Sequence, residues 1–501
     1  MVELFVQVMH PSILFPWFMA MLFGIFAGAT PGLTATMATA LIVPISYYMS
    51  PLAGLAMIIG ATFTAIFAGD IPATFLRIPG TPASSAATLD GYQLTLQGKG
   101  GYALTLDLIC SALGGLMGVG ILIFVAPPLA QLALRFSSAE YFWLGLFGLS
   151  MSAVVSKGNT FRGIIAACFG LLVSTVGMDV TTGHPRFTFG QLDLLSGVGF
   201  IPAMIGLFGL SEVLKLVSNR DALRQPSIAS AVKISLRKAL PVVWRHKFTV
   251  LRSGGIGTVI GALPGAGADI AAWVSYGMAK KFSRNPDKFG TGADEGVIAP
   301  TSANNAGLAG AWIPALVFGV PGDSITAIVV GAMLMYGLRP GPLIFEQSRE
   351  LVNGIFLIAV LTQFMLIGVG LLGIKAFGRI LQLPRNAVIV IVLMFSIVGS
   401  FALQNSIFDI YIMIAFGIIG FYLEKNDVPL PPLILGLILG PMVERNLRVG
   451  LVRTQGDFLP FLTRPVSSVL AIALFITLFG GPILGLLRRL LSKYAAKRNE
   501  P

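Results

Sequence analysis

Charged side chains are scarce in this sequence. Only 11% of its 501 residues are Asp, Glu, Lys or Arg, whereas 55% are hydrophobic. A water-soluble domain carries roughly 25% charged residues because its surface must be hydrated. The chain therefore has too little polar surface for a soluble fold of this length, which excludes a soluble globular protein and leaves an integral membrane protein.

Cysteine and histidine are also rare. Cys110 and Cys168 both lie in apolar segments and predict neither a disulfide framework nor a metal site. The three histidines are scattered, and no metal-ligand spacing is present. We therefore expect no cofactor and no metal-dependent catalysis. No removable signal peptide is predicted, because the N-terminus lacks a basic segment followed by a cleavage site.

The sequence contains several long apolar runs. They occupy residues 103–134, 386–401, 407–423 and 465–487. Several reach the ~20 residues that a helix needs to cross ~30 Å of hydrocarbon, and backbone exposed to lipid must be hydrogen-bonded internally. The sequence predicts an all-α, polytopic membrane protein with about ten to twelve transmembrane helices and re-entrant hairpins in a lipid bilayer.

Basic residues outnumber acidic ones, 34 to 22. In a membrane protein this excess indicates cytoplasmic loops, so we expect no nucleic-acid partner. The densest basic stretch, 215–252, predicts a cytoplasmic connector; its part 228–243 suits either an interfacial amphipathic helix or a solvated linker. The basic tail after residue 487 predicts a cytoplasmic C-terminus, and the acidic pair 294–295 predicts a loop.

A sequence pattern recurs about half a chain apart. GATPGLT at 28–34 matches GALPGAG at 261–267. IPA at 71–73 followed by PGT at 79–81 matches IPA at 313–315 followed by PGD at 321–323. Inverted repeats with interrupted helices are typical of secondary transporters. We predict one repeat at 1–214, the connector 215–252, a second and inverted repeat at 253–460, and a C-terminal transmembrane helix with a basic tail at 461–501.

The repeated Pro–Gly pairs predict four breaks in membrane helices, because proline removes a backbone donor and glycine weakens a helix. Freed backbone groups are costly in hydrocarbon, so the breaks should line a cavity, and half-helices that follow each break should offer N-terminal amides to a carboxylate. The alternative is that the small residues only permit close helix packing. The candidate substrate-binding residues are Thr30, Pro31, Gly32, Thr34, Pro79, Gly80, Thr81, Pro264, Gly265, Gly267, Ser302, Asn304, Asn305, Pro321, Gly322, Asp323 and Ser324.

Charged residues near the breaks are costly in lipid and should face protein or water. Asp70, Arg77 and Asp269 are candidates for ion coupling or charge compensation. Arg77 could pair bidentately with a substrate carboxylate or with Asp70. Helix C-terminal carbonyls could coordinate a cation such as sodium, whose ligands the sequence does not assign. Asp90 and Asp107 are expected near a membrane surface, in contact with solvent.

These motifs resemble the large membrane subunit of the tripartite tricarboxylate transporters (TctA type), and the resemblance covers nearly the whole chain. The stretches that carry it are 28–34, 71–82, 90–92, 264–268, 289–297, 299–306, 319–322 and 339–342. Three positions depart from the family pattern: Thr301 stands where a glutamate is usual, Asp70 where a serine is common, and Arg77 where an asparagine is frequent.

The resemblance implies a symporter subunit of the bacterial inner membrane that is not an enzyme. It implies a small membrane subunit and a periplasmic solute-binding protein as partners, and uptake of a small organic carboxylate driven by Na⁺ or H⁺. An elevator-type movement of the helix breaks against a scaffold is also implied. Citrate, another di- or tricarboxylate and an aromatic acid stay open as cargo, and so does a homodimer.

Two other classes of function were weighed. An intramembrane enzyme needs a nucleophile–base pair or a metal cluster at membrane depth, and no histidine lies in the repeated motifs. A channel is compatible with repeated Pro–Gly breaks. Saturable, gradient-dependent uptake would separate a carrier from both.

Overall fold

The structure is a computed structural model that describes residues 2–155, 160–179, 182–218, 234–380 and 385–479. Helices dominate it. The helices of the first part are α1 (Val2–Val8), α2 (Pro11–Ala29), α3 (Ala35–Tyr47), α4 (Pro51–Ala68), α5 (Asp70–Leu76), α6 (Thr88–Leu96), α7 (Gly100–Ala133), α8 (Ser138–Val155), α9 (Thr160–Ser174), α10 (Phe200–Met204) and α11 (Ser211–Ser218). The helices of the second part are α12 (Leu236–Arg245), α13 (Lys247–Gly261), α14 (Gly267–Phe282), α15 (Asp294–Phe318), α16 (Ser324–Met335), α17 (Ile344–Gln347), α18 (Arg349–Ile380), α19 (Arg385–Gln404), α20 (Ile407–Lys425), α21 (Leu430–Arg453), α22 (Leu459–Thr463) and α23 (Pro465–Phe479).

Other regular structure is minor. The strands β1 (Gly177–Met178) and β2 (Pro185–Arg186) pair antiparallel. A π-helical turn, Ile205–Leu210, joins α10 to α11 into one segment. Short 3₁₀ helices lie at Pro82–Ser85, Asp193–Ser196 and Pro286–Lys288.

Six segments of the described chain are long and apolar enough to span a membrane. They are Pro11–Ala29, Pro51–Leu76, Gly100–Ala133, Phe200–Ser218, Arg349–Phe377 and Ile407–Lys425. Shorter apolar stretches are α3, α9, α16, residues Asn386–Ala402 of α19, and α23. The prediction of an all-α, polytopic membrane protein is confirmed, whereas the number of ten to twelve transmembrane helices stays a prediction.

The distribution of apolar residues suits a bilayer. Residues 52–74 of the segment Pro51–Leu76 are all buried inside the protein. Large apolar side chains on the outer helices are exposed instead, among them Met394, Val398, Tyr411 and Ile472. An apolar outer surface around a packed interior is what a protein needs when its outer helices contact lipid rather than water.

The first helices of each half pack in the same way. Gly28 of α2 lies so close to α4 that an added Cβ would be 2.3 Å from the Ala65 carbonyl oxygen. Gly261 of α13 approaches α15 equally closely, 2.0 Å from the Gly307 carbonyl oxygen. Only a residue without a side chain allows backbones this near. The glycines that begin the two copies of the repeated motif therefore make corresponding contacts.

Corresponding helices also end alike. α5 ends at Arg77, which has φ +61° and whose amide donates to the Pro72 carbonyl. α15 ends at Gly319, with φ +68° and its amide directed to the carbonyls of Pro314 and Ala315. A left-handed residue at this position is a common way to stop a helix. Arg77 therefore occupies a backbone conformation that a glycine holds in the second half.

The two halves interlock. The long helix α7 packs on α15, and the long helix α18 packs on α4. Helix α9 packs on α21, while α20 packs on the α10–α11 segment. Each half thus supplies one member of each pair, so neither half forms a separate core.

Parts of two predictions lie outside the described residues. Residues 219–233 of the basic connector and residues 480–501, which include the basic tail, belong there. Helix α12 covers the end of the predicted amphipathic stretch and buries Ala239 and Val243 while Arg237 and Lys238 are exposed. The loop predicted at 294–295 is wrong, because those two acids begin α15, where a helix N-terminus favours negative charge.

Candidate functional site

Each repeated Pro–Gly pair interrupts a helical segment. The four breaks comprise residues 30–34, 77–81, 262–266 and 319–323, and we call them breaks 1 to 4 in chain order. The predicted interruptions are therefore present at all four positions. Breaks 1, 3 and 4 each lead into an α-helix, whereas break 2 leads into the 3₁₀ helix Pro82–Ser85, so the expectation of a half-helix after every break is wrong for break 2.

The breaks lie against one another in pairs. The Gly265 amide of break 3 donates to the Gly322 carbonyl of break 4 at 2.7 Å. In the first half, an added Cβ on Gly80 of break 2 would be 2.3 Å from the Gly28 carbonyl oxygen, at the edge of break 1. Gly265 has φ +84° and its added Cβ would be 2.2 Å from Ser152 Cα. Glycine is therefore required there by both conformation and space.

All four breaks line one cavity of about 1100 Å³. Several candidate residues face it, namely Pro31, Gly32, Thr34, Thr81, Gly265, Gly267, Asp269, Asp323 and Ser324. A cavity of this size accommodates a small organic molecule. The structure thus brings the two halves of the repeated motif together around one space.

Three helices begin at this cavity. Thr34 caps α3 by accepting a hydrogen bond from the Met37 amide at 3.1 Å. Asp323 caps α16 by accepting from the Thr326 amide at 2.7 Å. Helix α14 begins at Gly267 without a side-chain cap. The acidic Asp269 lies in its first turn, and the positive end of the helix dipole suits a carboxylate.

Ion pairs form another part of the cavity wall. Lys215 Nζ lies 2.8 Å from Glu212 Oε2 and 2.6 Å from Glu424 Oε2. Arg162 Nη1 lies 3.4 Å from Asp427 Oδ2. Among the described lining residues, five acidic side chains face three basic ones, so the wall holds an excess of two acidic groups. A bound anion therefore needs charge compensation beyond these ion pairs.

Sequence reasoning missed this charged wall. It assigned Lys215 to the cytoplasmic connector, whereas Lys215 belongs to α11 and lines the cavity. The signal was present: Glu212 and Lys215 sit three residues apart in an otherwise apolar segment, and charges at membrane depth point to a pathway for substrate or ions.

Other candidate residues do not line the cavity. Thr30, Pro79, Gly80, Pro264, Pro321 and Gly322 belong to the breaks or their edges but are not among the lining residues. Ser302, Asn304 and Asn305 are fully buried within α15. The Asn304 carboxamide donates to Asp70 Oδ2 at 3.1 Å. The proposed role of these residues in substrate binding stays a prediction.

Arg77 is not among the residues that line the cavity, and the described residues show no ion pair between Arg77 and Asp70. It is exposed, and its guanidinium carbon is 5.8 Å from the centre of the Tyr92 ring. Asp70 is fully buried and hydrogen-bonded to Asn304 instead. The stacking of Arg77 on Tyr92 is a cation–π contact.

Asp90 and Asp107 are buried, so the expectation that both contact solvent is wrong. Asp90 Oδ1 accepts hydrogen bonds from the amides of Gly290, Gly292 and Ala293 at 2.8–2.9 Å. The Tyr276 hydroxyl donates to Asp90 Oδ2 at 2.9 Å. Burial, together with this neighbouring carboxylate, raises the pKa of Tyr276. Asp90 therefore organises the loop before α15.

In the part of the chain that the structure describes, no group of three or more His, Cys, Asp or Glu side chains could hold a metal ion. Cys110 and Cys168 are not joined in a disulfide. The residues that line the cavity offer backbone amides, hydroxyls and ion pairs.

The fold and cavity define a class, a polytopic helical membrane protein with interrupted helices around an internal cavity. The model of the tripartite tricarboxylate transporter TctA family matches residues 14–435, and the chain belongs to this family. The chain is 33% identical over 458 residues to an uncharacterized 52.8 kDa protein in the TAR-I ttuC′ 3′ region of Agrobacterium vitis, covering 91% of each chain. It is 35% identical over 214 residues to an uncharacterized protein in the TAR-II ttuC′ 3′ region of the same organism, covering 43% of this chain and 88% of that one. No solved structure matches.

Membership gives the chain a general role. The TctA family is a transporter family, not an enzyme family, and its members are membrane components of tricarboxylate transporters. Because the family belongs to tripartite systems, other subunits and a binding protein are implied as partners.

Proposed function

We propose that this chain is the substrate-translocating subunit of a binding-protein-dependent importer of small di- or tricarboxylates, such as citrate, driven by a cation gradient. It works with a small membrane subunit and a periplasmic solute-binding protein. It resides in the bacterial inner membrane with its C-terminus in the cytoplasm. The observation that carries the proposal is the single cavity that all four breaks line.

The chemistry of the cavity supports a carboxylate as cargo. The uncapped start of α14 offers backbone amides to an anion. The hydroxyls of Thr34, Thr81 and Ser324 lie in the same wall. Amides and hydroxyls hydrogen-bond a carboxylate without permanently neutralising it, which suits both binding and release.

The charge of the wall supports cation coupling. With five acidic and three basic side chains among the described lining residues, a carboxylate substrate adds negative charge to a surface that already has more acidic than basic groups. A co-bound cation, Na⁺ or H⁺, offsets that repulsion. The substrate and the cation then favour each other's binding, which is the thermodynamic basis of symport.

The corresponding contacts of the two halves support inverted repeats and an elevator-type movement. Gly28 and Gly261 approach their neighbouring helices alike, and Arg77 and Gly319 end their helices alike. The breaks also lie against each other in pairs. A set of breaks held together in this way can move as one body against the interlocked outer helices.

Uptake in proteoliposomes tests the proposal. The chain is reconstituted with its small membrane subunit and binding protein, and uptake of labelled citrate, succinate and an aromatic acid is measured under an imposed Na⁺ or H⁺ gradient. We expect saturable uptake of at least one carboxylate that requires both the gradient and the binding protein. Flux that does not saturate would indicate a channel, and chemical conversion of the cargo would indicate an intramembrane enzyme.

A further inference from the structure

A second polar site lies behind break 2, where α5, α7 and α15 meet. It contains Asp70 of α5 and Asp107 of α7, which are 0% and 1% exposed and interact electrostatically. Asn304 and Asn305 of α15 are also 0% exposed. None of these four side chains lines the large cavity. The site is therefore distinct from the proposed carboxylate-binding space.

Each of the two carboxylates has one oxygen that accepts a hydrogen bond and one that has no hydrogen-bond partner among the described residues. Asp70 Oδ2 accepts from Asn304 at 3.1 Å, and Asp107 Oδ1 accepts from the Ser111 hydroxyl at 3.0 Å. Within the described residues, Asp70 Oδ1 and Asp107 Oδ2 have no hydrogen-bond partner, and neither side-chain atom of Asn305 has one. Buried polar atoms are rarely left unsatisfied, so these oxygens indicate that something binds there.

The described residues place no basic side chain against this pair. The titratable neighbour on the same face of α7 is Cys110, which interacts with Asp107. Charged residues on adjoining helices are engaged elsewhere: Asp90 binds loop amides, Arg252 of α13 stacks on Phe282, and Lys375 of α18 is exposed. The residues of α15 that face the pair are uncharged.

Double ionisation is unfavourable for two buried carboxylates that repel each other without a compensating charge, because desolvation and mutual repulsion both oppose the second charge. Pairs of this kind share a proton in other proteins. A proton needs no cavity of its own, which suits a site that is fully packed on all sides.

A hydroxyl path joins this pair to the cavity. Thr81 lines the cavity, and its hydroxyl lies 2.8 Å from that of Ser84. The Ser84 hydroxyl lies against Gly69, the residue before Asp70, and interacts with the Asp70 carboxylate. Gly69 leaves room for both hydroxyl groups, since a Cβ added there would be 2.7 Å from each of the two hydroxyl oxygens. Adjacent hydroxyls can relay a proton, because each both donates and accepts.

We propose that Asp70 and Asp107 form a proton-binding carboxylate pair that is loaded from the cavity through the hydroxyls of Thr81 and Ser84. Thr81 accepts a proton from water in the cavity as it gives its own to Ser84, and Ser84 gives its own to Asp70. One O–H bond forms on the pair for each proton taken from the cavity. The assignment rests on the proposed cation-driven uptake and identifies H⁺ as the coupling ion.

Infrared difference spectroscopy of the purified full-length protein tests the pair without any substrate. We expect a C=O stretching band of a protonated carboxyl group that persists at neutral pH and shifts in deuterated water. Asp107→Asn and Asp70→Asn should each remove that band. The matched control Asp287→Asn, which alters an exposed carboxylate in the 3₁₀ helix Pro286–Lys288, should keep it. A wild-type protein without the band, or a band that survives both variants, would overturn the proposal.

Uptake measurements separate this inference from the proposed function. A pH gradient without a sodium gradient should drive uptake by the wild type, Asp107→Asn should lose that response, and Asp107→Glu should restore part of it. Carboxylate uptake that is driven only by sodium, in a protein without the infrared band, would contradict the proton-binding pair but not the proposed importer function. An infrared band without any carboxylate uptake would contradict the proposed importer function but not the proton-binding carboxylate pair.

Discussion

The Gly265 amide donates a hydrogen bond of 2.7 Å to the Gly322 carbonyl, so break 3 is tied directly to break 4. Both glycines come from the motif that recurs in the two halves of the sequence. A hydrogen bond between two non-helical segments satisfies backbone groups that lipid could not. This bond therefore stabilises the open backbone that faces the cavity.

Gly265→Ala should abolish carboxylate uptake and lower the free energy of unfolding by about 2 kcal/mol or more, because it combines a positive φ with overpacking. The added methyl group would meet Ser152 Cα at 2.2 Å. Uptake and thermal unfolding in detergent measure the two effects. The matched control is Gly337→Ala, at φ +73° with nothing within 4 Å. It should cost about 1 kcal/mol and keep transport. Equal losses in both variants would contradict the close contact at Gly265.

The neighbouring asparagines should respond differently to alanine. Asn305→Ala removes two buried polar atoms that have no partner among the described residues, so stability should change little while uptake falls sharply. Asn304→Ala removes the donor to Asp70 and should cost about 1–3 kcal/mol. Membrane insertion, thermal unfolding and uptake are measured for both. Wild-type transport by Asn305→Ala at normal expression would remove Asn305 from the proposed site.

Asp90→Ala should destabilise the protein by about 3 kcal/mol, because it leaves buried donors without their acceptor. The affected donors are the amides of Gly290, Gly292 and Ala293 and the hydroxyl of Tyr276. Thermal unfolding in detergent measures the loss, and Asp287→Ala, an exposed carboxylate in the same region, serves as the control. If both variants unfold alike, Asp90 does not organise this loop.

Stability should depend on pH through Glu444, which lies outside the candidate membrane spans. Arg186 binds both of its oxygens, at 2.6 and 3.1 Å, and this hydrogen bonding lowers the pKa of Glu444 against the opposing effect of burial. A carboxylate with a lowered pKa stabilises the fold above its unfolded pKa, and the contribution is lost as pH falls through the folded pKa.

Glu444→Gln should therefore cost about 1 kcal/mol at neutral pH, and the difference from the wild type should shrink in acid. Melting temperatures measured across acidic and neutral pH report the effect. Glu346→Gln, at an exposed glutamate of α17, is the control. A penalty that stays constant with pH would show that the charge of Glu444 is not what stabilises this contact.

Local chemistry made the breaks predictable from the sequence. Proline and glycine act on their own backbone, so the interruptions at Pro31, Pro79, Pro264 and Pro321 could be placed without knowing the fold. The membrane class was equally predictable, because it follows from composition. The cavity at the meeting point of the breaks was inferred from the cost of bare backbone in lipid.

Long-range contacts were not predictable in the same way. Asp90 is buried because it binds backbone amides some 200 residues further along the chain, and no local sequence pattern predicts those partners. Asp107 is buried because α7 packs on α15 from the other half. Lys215 was assigned to a connector because basic residues follow it, although its partner Glu424 lies on α20. Charged residues near helix ends therefore gave the least accurate predictions of which side chains are exposed and where they lie.

If the chain moves its cargo as proposed, the excess of carboxylates in the cavity wall should couple transport to voltage. Charge that moves across a membrane does work against the potential, about 2.3 kcal/mol per charge for each 100 mV. A carrier whose empty pocket keeps surplus carboxylates is drawn electrically toward the positive, outer side of the membrane when it resets. Coupling cations that bind together with the substrate would neutralise these carboxylates, so the loaded carrier would move inward without this opposing electrical force. The membrane potential should therefore accelerate the return of the empty carrier rather than the inward movement of the loaded one.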